Sequence, residues 1–170
     1  MVMYIKTERL VLQPIGVADL ADLVELLTDD IVKKTYLLPD FSHPEAARKM
    51  AERVRDLSRD PSRYVAGIYL DGQLIGLLNE TEIGGSTIEI GYALLPAYHN
   101  RGYCTEALTE AICYFFARGF SQVSAGAFEE NIASIRVMEK SGMSKIDRWD
   151  EINYRGKTHR CVYYAAQKSL

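Results

Sequence analysis

The sequence predicts a mixed α/β fold: a mainly antiparallel central sheet flanked by helices, with one parallel crossover. Three observations predict it. Two strand-like runs, 64–70 and 74–82, meet at Asp71-Gly72, a pair that readily adopts positive φ and closes a two-residue hairpin. The run 88–95 is followed by a long helical pattern and then by another strand-like run, 122–128, and such a unit returns its second strand parallel to the first by a right-handed crossover. Two final runs, 145–151 and 158–167, turn back near Arg155-Gly156.

The remaining elements follow in order. Residues 4–15 read as a first strand with Pro14 near its end, and 18–27 as a helix with Leu20, Leu23, Val24 and Leu27 on one face. Asp19 and Asp22 lie near the positive start of that helix. Between 28 and 39, Ile31-Val32 and Tyr36-Leu37-Leu38 suggest a helical turn packed on the sheet. His43-Pro44-Glu45 opens a helix reaching about Ser58, with Pro44 as its first residue and Ala47, Met50, Ala51, Val54 and Leu57 as its buried stripe. Gly84-Gly85 turns the chain into the strand 88–95, whose only charge is Glu89, and Pro96 stops its pairing. From Thr105 the apolar positions Ala107, Leu108, Ala111, Ile112, Phe115 and Phe116 keep a helical period, which Gly119 ends. Residues 131–141 read as a helix stopped at Gly142.

Composition narrows the function. With 170 residues, 48% of them hydrophobic, the chain suits one packed domain spanning 1–170. A formal net charge of −3 gives no general attraction for nucleic acid or anionic membrane. No apolar run reaches the roughly 18 residues of a membrane span, and the charged start MVMYIKTERL does not suit a signal peptide. Cys104, Cys113 and Cys161 form no C-x-x-C pair and read as reduced, packing thiols of a cytoplasmic protein. His43, His99 and His159 have no metal-ligand spacing, so no metal is expected. No Gly-x-Ser-x-Gly elbow is present.

Between the central strand and helix lies His99-Asn100-Arg101-Gly102-Tyr103-Cys104-Thr105. A helix start leaves about four amides without partners and concentrates partial positive charge. Gly102 lets the backbone bend tightly, and Arg101 adds a full charge. Together they could cradle a phosphate or pyrophosphate. The bend lacks the lysine of a P-loop and two of the glycines of a dinucleotide fingerprint. On spacing alone, a phosphate site and an ordinary strand–helix connection both remain open.

The segment NRGYCTEAL, after a strand and proline, resembles the acetyl-CoA pyrophosphate loop of the GNAT superfamily of N-acetyltransferases. The family core is Gln/Arg-x-x-Gly-x-Gly/Ala; here His99 and Cys104 stand at its two ends, changes that leave the backbone donors in place. Thr7-Glu8-Arg9-Leu10-Val11-Leu12 resembles the opening strand of the branch containing the RimJ and RimL ribosomal-protein acetyltransferases. Asn131-x-x-Ser134 with Glu139-Lys140-Ser141-Gly142-Met143 resembles that branch's second block. The three blocks occur in the expected order over nearly the whole chain. The resemblance implies a GNAT fold whose two parallel strands splay apart where acetyl-CoA enters.

It also implies attack of a neutral amine on the thioester carbonyl of acetyl-CoA, which requires amine deprotonation, oxyanion stabilisation and release of a thiolate. Strand alternation puts Glu89, Gly91, Ala93 and Leu95 on one face if no bulge intervenes, leaving room beside a carboxylate that can take the amine's proton. The alternative is a strand carboxylate paired with Lys or Arg, and Glu80 is a rival base. Backbone groups of Tyr92, Ala93 and Leu94 match the family positions that pair with the pantetheine arm; ordinary sheet pairing is the alternative. The resemblance assigns Asn100, Arg101, Gly102, Tyr103, Cys104 and Thr105 to the pyrophosphate, with Thr105 alternatively a cap. Asn131 matches the family's cofactor-contacting asparagine and also suits an N-cap. Ser134 matches the branch serine proposed to protonate the thiolate, or bonds the backbone as a first-turn serine. The tyrosine many members carry seven residues after the asparagine is replaced by Met138, which cannot donate a proton. Tyr154, Tyr163 and Tyr164 can line the substrate slot or pack the sheet.

The expected activity is transfer of acetyl from acetyl-CoA to a primary amine, either a protein N-terminal α-amine or a small-molecule amine, in a monomer or homodimer. A non-catalytic acyl-CoA sensor on the same fold is the alternative.

Overall fold

The computed structural model describes residues 2–169. The chain opens with β1 (Ile5–Lys6) and β2 (Leu10–Gln13), an antiparallel pair, where one strand over 4–15 was expected. Thr7 makes the difference. Its hydroxyl accepts the Leu10 amide at 2.8 Å and its amide donates to the Leu10 carbonyl at 2.9 Å, closing a tight turn inside the run. Helix α1 (Leu20–Thr28) follows, then a 3-10 turn at Val32–Lys34, then α2 (Pro44–Arg59), whose first turn is capped by His43 Nδ1 accepting the Ala46 amide. Strands β3 (Val65–Leu70), β4 (Gln73–Gly84) and β5 (Thr87–Leu94) form the expected antiparallel meander.

Helix α3 (Tyr103–Ala117) starts two residues before the position its apolar period marks, and crosses to β6 (Gln122–Phe128), parallel to β5. Helix α4 (Ile132–Lys140) leads into the hairpin β7 (Ser144–Tyr154) and β8 (Lys157–Gln167). Asp71 and Arg155 take positive φ at the tips of the two predicted hairpins. Among the described residues eight strands are ordered β1-β2-β3-β4-β5-β6-β8-β7, and only β5 and β6 run parallel.

Two cores sandwich this sheet. Ile88, Ile90 and Leu94 point to one face, where Leu108, Ile112 and Phe115 of α3 and Met138 of α4 bury them. The other face is packed by Leu23, Leu26 and Leu27 of α1 and Ala51 of α2. The alternation of β5 therefore sends Ile88, Ile90, Tyr92 and Leu94 toward α3 and α4, and Glu89, Gly91 and Ala93 toward the α1–α2 side.

Candidate active site

The front of α3 leaves a row of main-chain donors open. Gly102 is its N-cap, at a left-handed φ of 79°, and among the described residues no side chain caps the helix. Asn100, at φ 59°, is left-handed as well, a conformation asparagine tolerates better than most residues. The first helix amide to bond back is that of Glu106, to the Gly102 carbonyl at 3.0 Å. The amides of Gly102, Tyr103, Cys104 and Thr105 have no protein acceptor among the described residues, and they sit where the helix dipole is most positive. Thr105 lies inside the first turn and does not cap it. Arg101 is exposed and, among the described residues, free of ion pairs.

Glu106, in the same first turn, would oppose an anion if its charge were unmatched. It is matched: Oε1 accepts the Thr7 hydroxyl at 2.6 Å and the Arg9 amide at 2.8 Å, and Oε2 accepts Arg9 Nε at 2.6 Å. Partial burial works against ionisation, but the hydrogen bonds from Thr7 and Arg9 hold the Glu106 carboxyl below its ordinary value. Arg9 also donates to the Arg101 carbonyl at 3.0 Å and lies over the Tyr103 ring at 4.5 Å.

A gap opens beside this row of donors. β5 and β6 pair only from Thr87↔Gln122 to Glu89↔Ser124, while β5 continues to Leu94 and β6 to Phe128. Past Glu89 the two strands part, and the edge of β5 faces open space. Leu95 donates to the Ile75 carbonyl at 2.9 Å, and Gly76 stands opposite Leu94. The alternation of an antiparallel ladder then turns Ala93's peptide groups to Leu77 of β4, and those of Tyr92 and Leu94 into the gap. Of these, the Leu94 carbonyl is held by His99 Nε2 at 2.9 Å. Ala93 turns a small buried side chain into the core on the α1–α2 side.

On the α1–α2 side the gap meets a cleft of about 360 Å³ lined by both sheet and helix residues. Glu89 stands on its floor with a side chain 15% exposed. Its Oε2 accepts Arg148 Nη1 at 2.7 Å and its Oε1 accepts the Thr81 hydroxyl at 3.0 Å. Thr81 reaches Glu89 because β4 slips register between Glu80 and Glu82. Both earlier readings of Glu89 thus meet in one place: it is arginine-paired, and it faces the open slot. Glu80 is buried and bound by Arg63 and by the Tyr64 amide at 2.5 Å, which leaves it less accessible. Gly91 and Gly126 border the cleft on either side of the gap; at Gly126 a Cβ would meet the Tyr163 ring at 2.7 Å. Among the described residues no group of His, Cys, Asp and Glu is placed to hold a metal.

A family model described as an acetyltransferase (GNAT) domain matches residues 9–144. The chain belongs to the GNAT acetyltransferase family. It is an acetyl-CoA-dependent N-acetyltransferase. It is 28% identical over 166 residues to an uncharacterised N-acetyltransferase, YnaD, of Bacillus subtilis, covering 96% of each chain. It is 27% identical over 146 residues to another, YoaA, covering 83% of this chain and 82% of that one. Among solved structures it is similar to a GNAT-family acetyltransferase from Bacillus anthracis, with TM-score 0.82, 27% identity and coverage of 97% and 98%. The ribosomal-protein α-N-acetyltransferase RimL in complex with coenzyme A shares its fold at TM-score 0.84 and 17% identity, covering 97% of this chain and 98% of that one.

In this acetyltransferase, α4 carries the other predicted residues. Asn131 is its N-cap: Oδ1 accepts the Ser134 amide at 3.2 Å, an arrangement worth about 1 kcal/mol. Ser134 Oγ bonds the Tyr92 hydroxyl at 2.9 Å and is not tied to the backbone in the manner expected of a first-turn serine. Met138 is fully buried core. Burial pushes the Cys104 thiol up to about 12, so it stays a neutral packing group. Cys161 is buried likewise, while Cys113 is exposed on α3 and departs from the packing expectation.

Of the three tyrosines, Tyr163 lines the cleft, with Arg148 stacked 3.9 Å from its ring centre. Tyr164 turns to the other face and bonds Glu139 at 3.4 Å. Tyr154 pins the loop 33–38 that walls the cleft, donating to the Lys33 carbonyl at 2.6 Å and accepting the Leu38 amide at 3.3 Å. Sequence reasoning missed Arg148, Tyr36, which donates to Asn79 at the cleft, and the role of Arg9. Only Arg9 carried a signal, as part of the Thr7–Leu12 block.

Proposed function

We propose that this single domain, residues 1–170, moves acetyl from acetyl-CoA to a primary amine by direct attack in a ternary complex. It acts in the cytoplasm, as a RimJ/RimL-like member of its family. The observation that carries the reading is the gap between β5 and β6, bordered by unpartnered main-chain groups and ending at the unpartnered amides of α3. A diphosphate fits those amides and Arg101. A pantetheine arm, itself a chain of amides, fits the peptide groups of Tyr92 and the amide of Leu94, which face the gap, as an added strand would.

The acceptor side supports an amine. Glu82, Glu89 and Asp150 surround the single Arg148 guanidinium at 3.7, 2.7 and 3.8 Å. Three carboxylates against one cation leave a negative mouth, which draws an ammonium. Glu89 Oε1, held only by a hydroxyl, takes the amine's proton directly or through water. The amine nitrogen then bonds the acetyl carbon, the amides of Tyr92 and Leu94 stabilise the oxyanion, and the C–S bond breaks with its electron pair passing to sulfur. The acceptor must lose its proton before it attacks. A protein α-amine, at about 7.7–8.0, does so more easily than a lysine amine, at about 10.4. A protein N-terminus or a small amine of similar basicity is therefore favoured.

The test is a mass-spectrometric screen of peptides and small amines with labelled acetyl-CoA, with thiol release followed in parallel. Acetylated α-amines with matching thiol release are expected. Tight acetyl-CoA binding without thiol release from any amine would replace this reading with the sensor.

A further inference from the structure

The α3–α4 face of the gap holds a polar contact that the acceptor cleft does not use. Tyr92, on β5, sends its hydroxyl across to the first turn of α4, 2.9 Å from Ser134 Oγ and 3.3 Å from the Ser134 carbonyl. The two residues thus stand on opposite arms of the gap, since α4 packs on β6. The phenol has a single proton: turned to the nearer Oγ it leaves the serine its own, and turned to the carbonyl, which can only accept, it receives the serine's instead. A helical serine usually donates back to the carbonyl one turn earlier. Ser134 makes no such bond among the described residues, so with the phenol donating to its Oγ across the shorter contact the serine proton has no protein partner. Burial, then the nearby Cys104 thiol, push the Tyr92 phenol above its ordinary range, so it remains a donor throughout the working pH range.

We infer that Tyr92 is a positioning residue for the leaving group: it holds and polarises the Ser134 hydroxyl so that Ser134 donates a hydrogen bond to the departing sulfur of coenzyme A. The inference rests on the acetyl-transfer reading above. A hydroxyl that accepts one hydrogen bond donates another more strongly. As the C–S bond breaks, its electron pair becomes a thiolate lone pair that Ser134 stabilises. The serine keeps its proton, and the thiolate is protonated from water as it leaves. This arrangement does at the gap what Met138, with no donor, cannot do.

The experiment compares wild type, Tyr92→Phe, Ser134→Ala and the double variant with acetyl-CoA and an α-amine peptide found in the screen. Thermal melts confirm folding. Tyr92→Phe is expected to lower kcat about tenfold, the loss of one well-placed hydrogen bond in the transition state, while acetyl-CoA affinity stays within about twofold. Ser134→Ala should lower kcat at least as much, and adding Tyr92→Phe to it should cost nothing further, because the two act as one unit. Ser134→Thr, which keeps the hydroxyl, should retain most of the activity. Wild-type kcat in either single variant overturns the inference, as does a double variant whose losses simply multiply. Should Tyr92→Phe fail to fold, Ser134→Ala, outside the buried core, decides alone. A wild type that acetylates no amine overturns both readings, whereas an active wild type with an indifferent Tyr92→Phe overturns only this one.

Discussion

Arg9 and Glu106, 97 positions apart, form an ion pair with Nε and Oε2 at 2.6 Å. The pair joins the β1–β2 turn to the first turn of α3, the helix whose first amides are proposed to hold the diphosphate. Glu106 therefore contributes a fixed geometry without leaving a net negative charge in front of an anion. Its folded-state carboxyl lies below the usual 4.5, so the stabilisation is fully present above that value and is lost as pH falls through the lower folded one. Glu106→Gln should lower the melting temperature at neutral pH, and the difference from wild type should shrink as pH drops below about 4.5. Melting curves against pH check this; a constant difference would mean that the ion pair contributes nothing.

At Gly102 the φ of 79° suits glycine, and an added Cβ would sit 3.4 Å from the Arg9 guanidinium. Gly102→Glu is expected to abolish acetyl-CoA binding measured by calorimetry, because a carboxylate then stands where a diphosphate would bind. The strain of a left-handed non-glycine residue adds a stability loss of about 1–2 kcal/mol. A folded variant with unchanged affinity would remove the cradle from this account.

Glu89→Gln tests the acceptor side alone. It leaves the α3 amides untouched, so acetyl-CoA affinity should hold. Turnover should fall most at low pH, where more of the amine carries its proton and a base is most needed. A pH–rate profile matching wild type at every pH would exclude Glu89 as the base.

Gly91 offers a steric probe. A Cβ there would lie 3.4 Å from Asn79 Oδ1 and Thr81 Cγ2, and 3.5 Å from the Tyr36 ring, ordinary contacts that need no backbone shift. Gly91→Ala should fold with wild-type stability, narrow the cleft and raise KM for the amine several-fold, with KM for acetyl-CoA unchanged. An unchanged amine KM would place the acceptor elsewhere.

Much of the fold was legible in local signals. Asp71-Gly72 and Arg155-Gly156 mark turns because few residues accept their backbone angles, and the structure turns at both. The apolar period of α3 and its stop near Gly119 are properties of neighbouring residues, as is the N-cap at Asn131. These depend on a few consecutive dihedrals and on amphipathic spacing, which one stretch of chain carries by itself.

Other features were decided by residues far apart. A strand over 4–15 became two because Thr7 bonds both Leu10 and Glu106. Glu89 is both arginine-paired and cleft-facing only once β7 brings Arg148 across from 59 positions away. The parting of β5 and β6 after Glu89 leaves no mark in periodicity, since each strand keeps its alternation whether or not a neighbour pairs with it. The sequence alone thus determined most of the elements, the hairpin turns and the glycine bend before the central helix. Only the tertiary structure decided where the sheet opens, which main-chain groups are left unpaired there, and which side chains meet across the opening, because pairing and charge contact depend on distances in space that no local pattern encodes.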